Sequence, residues 1–218
     1  MGYTAVRMQK TPLSEFVRKY PLKSYKRHET IIFQDDQPAV IHYIKSGFVK
    51  GYDIDSQGTE QLVWLGTEGD FCPLSWVFEA EPTVPYFFSA LTNVEAYTVR
   101  RSDLKKYLDD NYDALREVTE TLAVRLINTF HHLNAVEKAR AEEKIIYSLY
   151  FLSKRFRDSH MTDGDHVTLP LTHQEIASLI GLSRETVTQE LKKMKESGLV
   201  HYDKYSFQIH PDKLEALL

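Results

Sequence analysis

The hydrophobic positions of this chain change period along its length. From about Thr30 to Val99 they alternate or fall in short runs: Thr30-Ile31-Ile32-Phe33, Val40 to Ile44, Phe48 to Tyr52, Gln61 to Leu65, Tyr86 to Leu91 and Glu95 to Val99. Turn-forming residues separate them at Asp35-Asp36, Ser46-Gly47, Ser56-Gln57-Gly58, Glu68-Gly69-Asp70 and Thr92-Asn93. Short, evenly spaced segments rich in β-branched and aromatic residues predict an antiparallel sandwich or barrel, because such side chains fit a pleated, half-buried surface. Ser102 or Asp103 then caps a short predicted helix, Leu104 to Leu108.

Between about Asp113 and Val136 the period becomes helical. Leu115, Val118, Leu122, Leu126, Thr129, Leu133 and Val136 step by threes and fours, with charges between them. A helix of about 24 residues would be about 36 Å long. So narrow a stripe on so long a helix matches the seam between two paired helices. The expected dimer interface is Leu115, Val118, Leu122, Leu126, Thr129 and Leu133; packing of this helix on its own domain is the alternative. Beyond it, Ala141 to Phe156 carries Ile145, Ile146, Leu149, Leu152 and Phe156 on one helical face. A turn-rich segment, His160 to Asp165, leads to a short strand, Val167-Thr168-Leu169.

The next segment has the grammar of two short helices. Thr172-His173-Gln174-Glu175 is a capping box, in which Thr172 accepts from the Glu175 amide while Glu175 reaches back. The helix it opens, Glu175 to Ile180, stops at Gly181, a residue suited to the left-handed conformation that ends helices. Ser183 then caps a second helix running to about Ser197, with Glu185 in its first turn and Gly198 after its end. Two helices joined by so short a glycine-containing turn predict a helix-turn-helix. Small Ala177 lets them approach, and Ile176, Ile180, Leu182, Val187 and Leu191 supply a shared core; Glu190 stands where an apolar residue would be usual. Leu199 to Tyr202 and Tyr205 to Ile209, flanking Asp203-Lys204, predict a β-hairpin wing. The outward face of the second helix would carry Arg184, Glu185, Thr188 and Gln189, types that pair with guanine, cytosine and adenine edges in the major groove. Thr172, His173, Gln174, Ser183, Thr186, Lys192 and wing Lys204 suit phosphate contacts.

Composition narrows the picture. The chain has 218 residues and a formal net charge of −4, which alone argues weakly against a nucleic-acid binder. The acidity is concentrated, however: Gly51 to Val99 holds Asp53, Asp55, Glu60, Glu68, Asp70, Glu79, Glu81 and Glu95 but no lysine or arginine. All 27 basic residues lie elsewhere and leave the remainder net positive. The second helix of the pair mixes Arg184, Lys192, Lys193 and Lys195 with Glu185, Glu190 and Glu196, so one copy should bind DNA weakly and two are needed. A single cysteine, Cys72, excludes an internal disulfide and any four-thiolate cluster or zinc site within one chain. No run approaches the roughly 18 apolar residues of a membrane span. Met1 to Tyr20 lacks the apolar core of a secretory signal, so a cytoplasmic protein is expected. The nine histidines show no metal-ligand spacing, and neither a nucleophile–base arrangement nor a glycine-rich phosphate loop is present. No enzymatic activity, metal or cofactor is expected.

From about Arg27 onward the sequence resembles the family of the cyclic-AMP receptor protein and the fumarate–nitrate reductase regulator. The resemblance is sharpest at Leu171-Thr172-His173-Gln174-Glu175-Ile176-Ala177 and Gly181-Leu182-Ser183-Arg184-Glu185-Thr186-Val187; Ile41 to Lys50 and Gly69-Asp70-Phe71 look like that family's effector-binding roll. It implies an α+β protein: a jelly roll like those that bind cyclic nucleotides over residues 1–110, a dimerisation helix and hinge over 111–137, and a winged helix-turn-helix over 138–218. It also implies a homodimer on a palindromic operator, with half-sites about 34–36 Å apart, RNA polymerase contact in an activator, and base reading by Arg184 and Glu185. Gln189 stands where the cyclic-AMP receptor protein has a further arginine. In cyclic-nucleotide binders a Gly-Glu-Leu and a later Arg-Ser hold the phosphate; here Gly69-Asp70-Phe71 runs into Cys72-Pro73-Leu74-Ser75-Trp76, and Tyr86 to Leu91 offers no arginine. Tight cyclic-AMP binding is therefore not expected. Cys72, Trp76 and Phe88 with Arg125 and Thr129 are candidate lining for another effector, such as a hydrophobic one, or the rings are simply core. A carbon-monoxide-sensing branch ligates haem through a cysteine near this position with a histidine two residues on, where this chain has Leu74, which favours an inert buried thiol. A different class of reading makes the roll a regulatory module and the C-terminal helices a protein-contact surface.

Overall fold

The alternating segments fold into eight strands: β1 (Leu22–Tyr25), β2 (Thr30–Ile32), β3 (Val40–Ser46), β4 (Val49–Ile54), β5 (Glu60–Gly66), β6 (Phe71–Cys72), β7 (Phe87–Ala90) and β8 (Val94–Arg100). They form two antiparallel sheets, ordered β1-β8-β3-β6 and β2-β7-β4-β5. The computed structural model describes residues 11–162, 166–203 and 206–218. The chain divides into two compact units, one ending at Thr121 and the other beginning at Leu122.

In the first unit the sheets enclose a core that includes Ile32, Ile41, Ile44, Val49, Ala90 and Val99. The Ser46-Gly47 turn between β3 and β4 needs glycine twice over. Gly47 has φ +88°, and a Cβ there would lie 2.2 Å from the carbonyl oxygen of Asn93. Two elements carried no strong periodic signal. Helix α1 (Pro12–Val17) opens with a capping box between Thr11 and Ser14 and a proline in its first turn, and buries Leu13 and Val17. Strand β1 is too short and too exposed for its alternation to register.

Helix α2 departs from expectation. It spans Arg101–Asp110, so Ser102 and Asp103 lie inside it and no side chain caps it. Strand β8 runs straight into this helix, and the Arg101 amide that a cap would have served donates instead to the Ala39 carbonyl at 3.0 Å. The period-3.6 stripe becomes α3 (Tyr112–Glu137), 26 residues long. Leu115, Leu122, Leu126 and Leu133 are exposed on it. Val118 is not: with Ala114 it is buried in the roll's own core, 1% exposed, which removes it from any seam. Thr129 is exposed with its hydroxyl turned back to the Arg125 carbonyl at 3.0 Å. Its neighbour Phe130, 56% exposed, is the apolar residue that continues the stripe.

The second unit holds α4 (Ala141–His160), which runs past the expected end at Phe156 through Arg157 to Ser159 and takes in His160, the first residue of the expected turn. Strands β9 (Met161–Thr162), β10 (His166–Leu169), β11 (Val200–Tyr202) and β12 (Phe207–Ile209) form an antiparallel sheet ordered β11-β12-β10-β9. Asp163 to Asp165 lie outside the described residues. Helices α5 (His173–Ile180) and α6 (Arg184–Glu196) pack beside α4, and α7 (Pro211–Glu215) follows β12. Their core includes Ile145, Leu149, Ile176, Ile180, Val187, Leu191 and Phe207, all at zero exposure.

Candidate nucleic-acid interface

The local chemistry of α5 and α6 is as the sequence prescribes. Thr172 Oγ1 accepts from the Glu175 amide at 3.3 Å, and the Glu175 carboxylate accepts from the Thr172 amide at 2.6 Å. That box places the first helical residue at His173, two positions before the expected start. Gly181 is left-handed at φ +65°, and its amide donates to the Ala177 carbonyl. Ser183 caps α6, its Oγ accepting from the Thr186 amide at 3.1 Å. Thr172 and Ser183 thus spend their oxygens on caps, and what these sites offer an incoming anion is the remaining amides of two helix N-termini.

Arg184, Glu185, Thr188 and Gln189 are all exposed on α6, as is Lys192 further along. Among the described residues the side chains of Arg184, Glu185, Gln189 and Lys192 make no hydrogen bond or ion pair to the protein. These long polar side chains stand unpaired, unlike Lys193 and Lys195 of the same helix. Lys193 is paired with Glu190 at 2.8 Å, which also satisfies the half-buried carboxylate that looked out of place in the sequence. Lys195 reaches the Tyr202 carbonyl at 3.3 Å and lies over the Tyr202 ring, tying α6 to the wing strand β11. The exposed face therefore presents donors and acceptors suited to base edges, with no internal partner to displace.

Thr188 differs from its neighbours. Its hydroxyl donates to the Arg184 carbonyl at 2.7 Å and lies 2.9 Å from His173 Nδ1. Its one hydrogen is thus committed to the helix, leaving only a lone pair and a methyl group for a base. The His173 ring is half-buried, edge-on to Tyr202 and tilted against Phe207. Burial, then the Arg184 charge, hold its imidazole below the ordinary histidine range. Nothing in the sequence spacing showed that His173, Thr188 and the wing rings meet; only the packing of α5 on α6 brings together positions 15 residues apart. Gln174 is exposed, Thr186 half-buried, and Lys204 lies outside the described residues.

The proposed effector lining has a different character. Cys72 is fully buried, Trp76 and Phe88 are each 7% exposed, and all three belong to the packed core of the roll. Trp76 donates to the Pro38 carbonyl at 2.8 Å, with Arg101 over its ring, and Phe88 meets Trp64 edge to face. Arg125 and Thr129 belong to the other unit. Two nearby rings, Phe78 and Tyr86, are exposed. Among the described residues no group of three or more histidines, cysteines or carboxylates could hold a metal ion, and no helix is long and apolar enough to cross a membrane.

Known proteins share this arrangement. Residues 22–111 match the cyclic nucleotide-binding domain, and residues 143–217 match the Crp-like helix-turn-helix domain. The cAMP-activated global transcriptional regulator CRP of Salmonella typhimurium is 27% identical over 184 residues, 84% of each chain. The global nitrogen regulator of Synechocystis is 25% identical over 190 residues, 87% of this chain and 84% of that protein. The structure of FixK2 from Bradyrhizobium japonicum superposes with a TM-score of 0.77 at 21% identity, covering 91% of this chain and 96% of that one, a likeness of fold. With both domains matched in order, and a capped helix-turn-helix presenting an unpaired polar face, the chain belongs to the CRP/FNR family of DNA-binding transcription regulators.

Proposed function

We propose that the protein is a cytoplasmic homodimer that reads a palindromic operator with α6 and does not respond to cyclic AMP. The observation that carries the reading is the exposed, internally unpaired set Arg184, Glu185 and Gln189 on one face of α6. Arg184 donates to guanine, Glu185 accepts from a cytosine amino group, and Gln189 pairs with adenine. His173, Gln174, Thr186, Lys192 and Lys204, with the amides that Thr172 and Ser183 leave at the helix starts, hold the phosphates and set register. Residues 1–110 serve as the sensor roll, 111–137 as dimerisation helix and hinge, and 138–218 as the reader. Leu115, Leu122, Leu126, Phe130 and Leu133 supply the apolar seam of α3, all exposed in the single chain. A member of this family that activates would also contact RNA polymerase.

The cyclic-nucleotide relatives do not extend to the ligand. A bound cyclic phosphate needs a cation in the roll, and Gly51 to Val99 supplies none against eight carboxylates. Where the family's Gly-Glu-Leu segment would turn toward ligand, Phe71 and Cys72 enter the core, followed by a short 3-10 helix that buries Leu74, Trp76 and Val77. Of the first two arginines downstream, Arg100 is exposed at the end of β8, and Arg101 is paired with Glu79 at 2.7 Å and stacked over Trp76. The test is DNA binding by fluorescence anisotropy across a salt series, using palindromic duplexes recovered from a randomised pool. Arg184→Ala and Glu185→Ala should each weaken binding by about 1–3 kcal/mol. Unchanged affinity in both variants would sink the assignment of α6 as the reading helix.

A further inference from the structure

The contact between His173 and Thr188 has a consequence for protons. A threonine hydroxyl carries one hydrogen, and Thr188 gives it to the Arg184 carbonyl at 2.7 Å. Toward His173 Nδ1, at 2.9 Å, the same oxygen can only accept. Nδ1 must therefore hold the proton, and in the neutral ring Nε2 is the bare nitrogen. Among the described residues Nε2 has no hydrogen-bond partner. The ring's orientation is fixed on two further sides, by Tyr202 at a centroid distance of 4.8 Å and Phe207 at 5.7 Å. A proton added at Nε2 therefore breaks no bond that the fold makes.

We infer that His173 is a positioning residue with a proton-linked second role: through Thr188 it fixes α6 to the start of α5, and on taking up a proton at Nε2 it becomes a cationic donor to a DNA phosphate. This rests on the reading of the chain as a DNA-binding regulator. Neutral His173 offers a backbone oxygen a lone pair, which repels it; the imidazolium offers a charge-assisted hydrogen bond. A DNA phosphate and a proton on Nε2 thus favour each other, and operator affinity rises as pH falls. The charged and titratable groups around the ring are Arg184 from α6, which opposes the proton in free protein, and Tyr202 from β11, with Lys195 over that ring. Phe207 from β12 is uncharged, and on α5 itself Glu175 is engaged in the capping box. Burial also holds the free imidazole below its ordinary range, so protonation waits for the phosphate.

Two measurements on the full chain test this. The first is the tautomer in DNA-free protein, read from imidazole 15N shifts at alkaline pH. The Nδ1–H form should predominate and be lost in Thr188→Val; a predominant Nε2–H form overturns the inference without any DNA. The second is anisotropy titration of a palindromic duplex recovered from a randomised pool, between about pH 8 and about pH 6. Wild-type affinity should rise by roughly tenfold per dimer over that interval through His173. His173→Gln should lose this part of the slope and stay at the weaker level. His173→Arg, a permanent cation, should bind at the stronger level across the whole range. A slope that His173→Gln leaves intact overturns the inference and spares the regulator reading; absence of binding by wild type at every pH overturns both.

Discussion

His42 shows how burial decides the charge of a single residue. It shares a 2.7 Å hydrogen bond with the Tyr25 hydroxyl, and its Nδ1 is buried with no partner. Burial, then the nearby Lys23 charge, lower its pKa from 6.5 to about 4. The native state thus binds fewer protons than the unfolded chain in that interval. The stability it protects is complete above pH 6.5 and is lost as pH falls toward 4, by about 3 kcal/mol in all. Unfolding midpoints followed by circular dichroism should show this acid slope in wild type and a flatter curve in His42→Gln; equal slopes would refute it. Glycines give a second contrast at this scale. Gly181 is left-handed, but a Cβ there meets nothing within 4 Å, whereas at Gly47 it meets a backbone oxygen at 2.2 Å. Gly181→Ala should cost about 1 kcal/mol, from conformation alone, and Gly47→Ala clearly more. Urea denaturation ranks the two, and a larger loss at Gly181 contradicts the account.

Among the elements, α5 and α3 make the sharpest demands. The α5 capping box satisfies two amides that would otherwise go unpaired, so Thr172→Ala should destabilise the domain by about 1 kcal/mol. Helix α3 exposes Leu122, Leu126, Phe130 and Leu133 while anchoring Ala114 and Val118 in the roll. A charge at Phe130 or Leu126 leaves that anchor alone and strikes only the apolar stripe. Phe130→Glu and Leu126→Glu should therefore sediment as folded monomers, and losing the second reading head should cost operator affinity about a hundredfold. Dimers of unchanged affinity would place the interface elsewhere.

For the whole molecule, the distribution of charge matters more than its sum. A net charge of −4 coexists with a reader whose free basic groups are few, so the salt dependence of binding should be shallower than for a strongly basic domain and should require two protomers. The same asymmetry governs the roll, where eight acids and no base between Gly51 and Val99 oppose a phosphate. Calorimetric titration with cyclic AMP should give no heat of binding at micromolar concentration; a clear isotherm would overturn that reading.

Local signals carried the reader head. Thr172, Glu175, Gly181 and Ser183 act on backbone within four residues of themselves, so their roles were legible in the sequence, and the alternation of β3, β4, β5 and β8 fixed the class of the roll for the same reason. What the sequence could not show were contacts between distant segments. The direct run from β8 into α2 removed the need for a cap at Ser102 or Asp103, because the Ala39 carbonyl was already there. Val118 keeps perfect helical spacing yet faces its own roll, since periodicity identifies an apolar face but not what covers it. Cys72, Trp76 and Phe88 are equally apolar as core or as pocket wall, and only packing made them core. Thr188 and His173, 15 residues apart, were each assigned to DNA alone, and the docking of α5 on α6 joined them. The chain's own order of caps, turns and periods determined a capped two-helix motif and a β-roll; tertiary structure decided which polar side chains of α6 stay without an internal partner, because a hydrogen bond to a distant residue leaves no mark on local sequence.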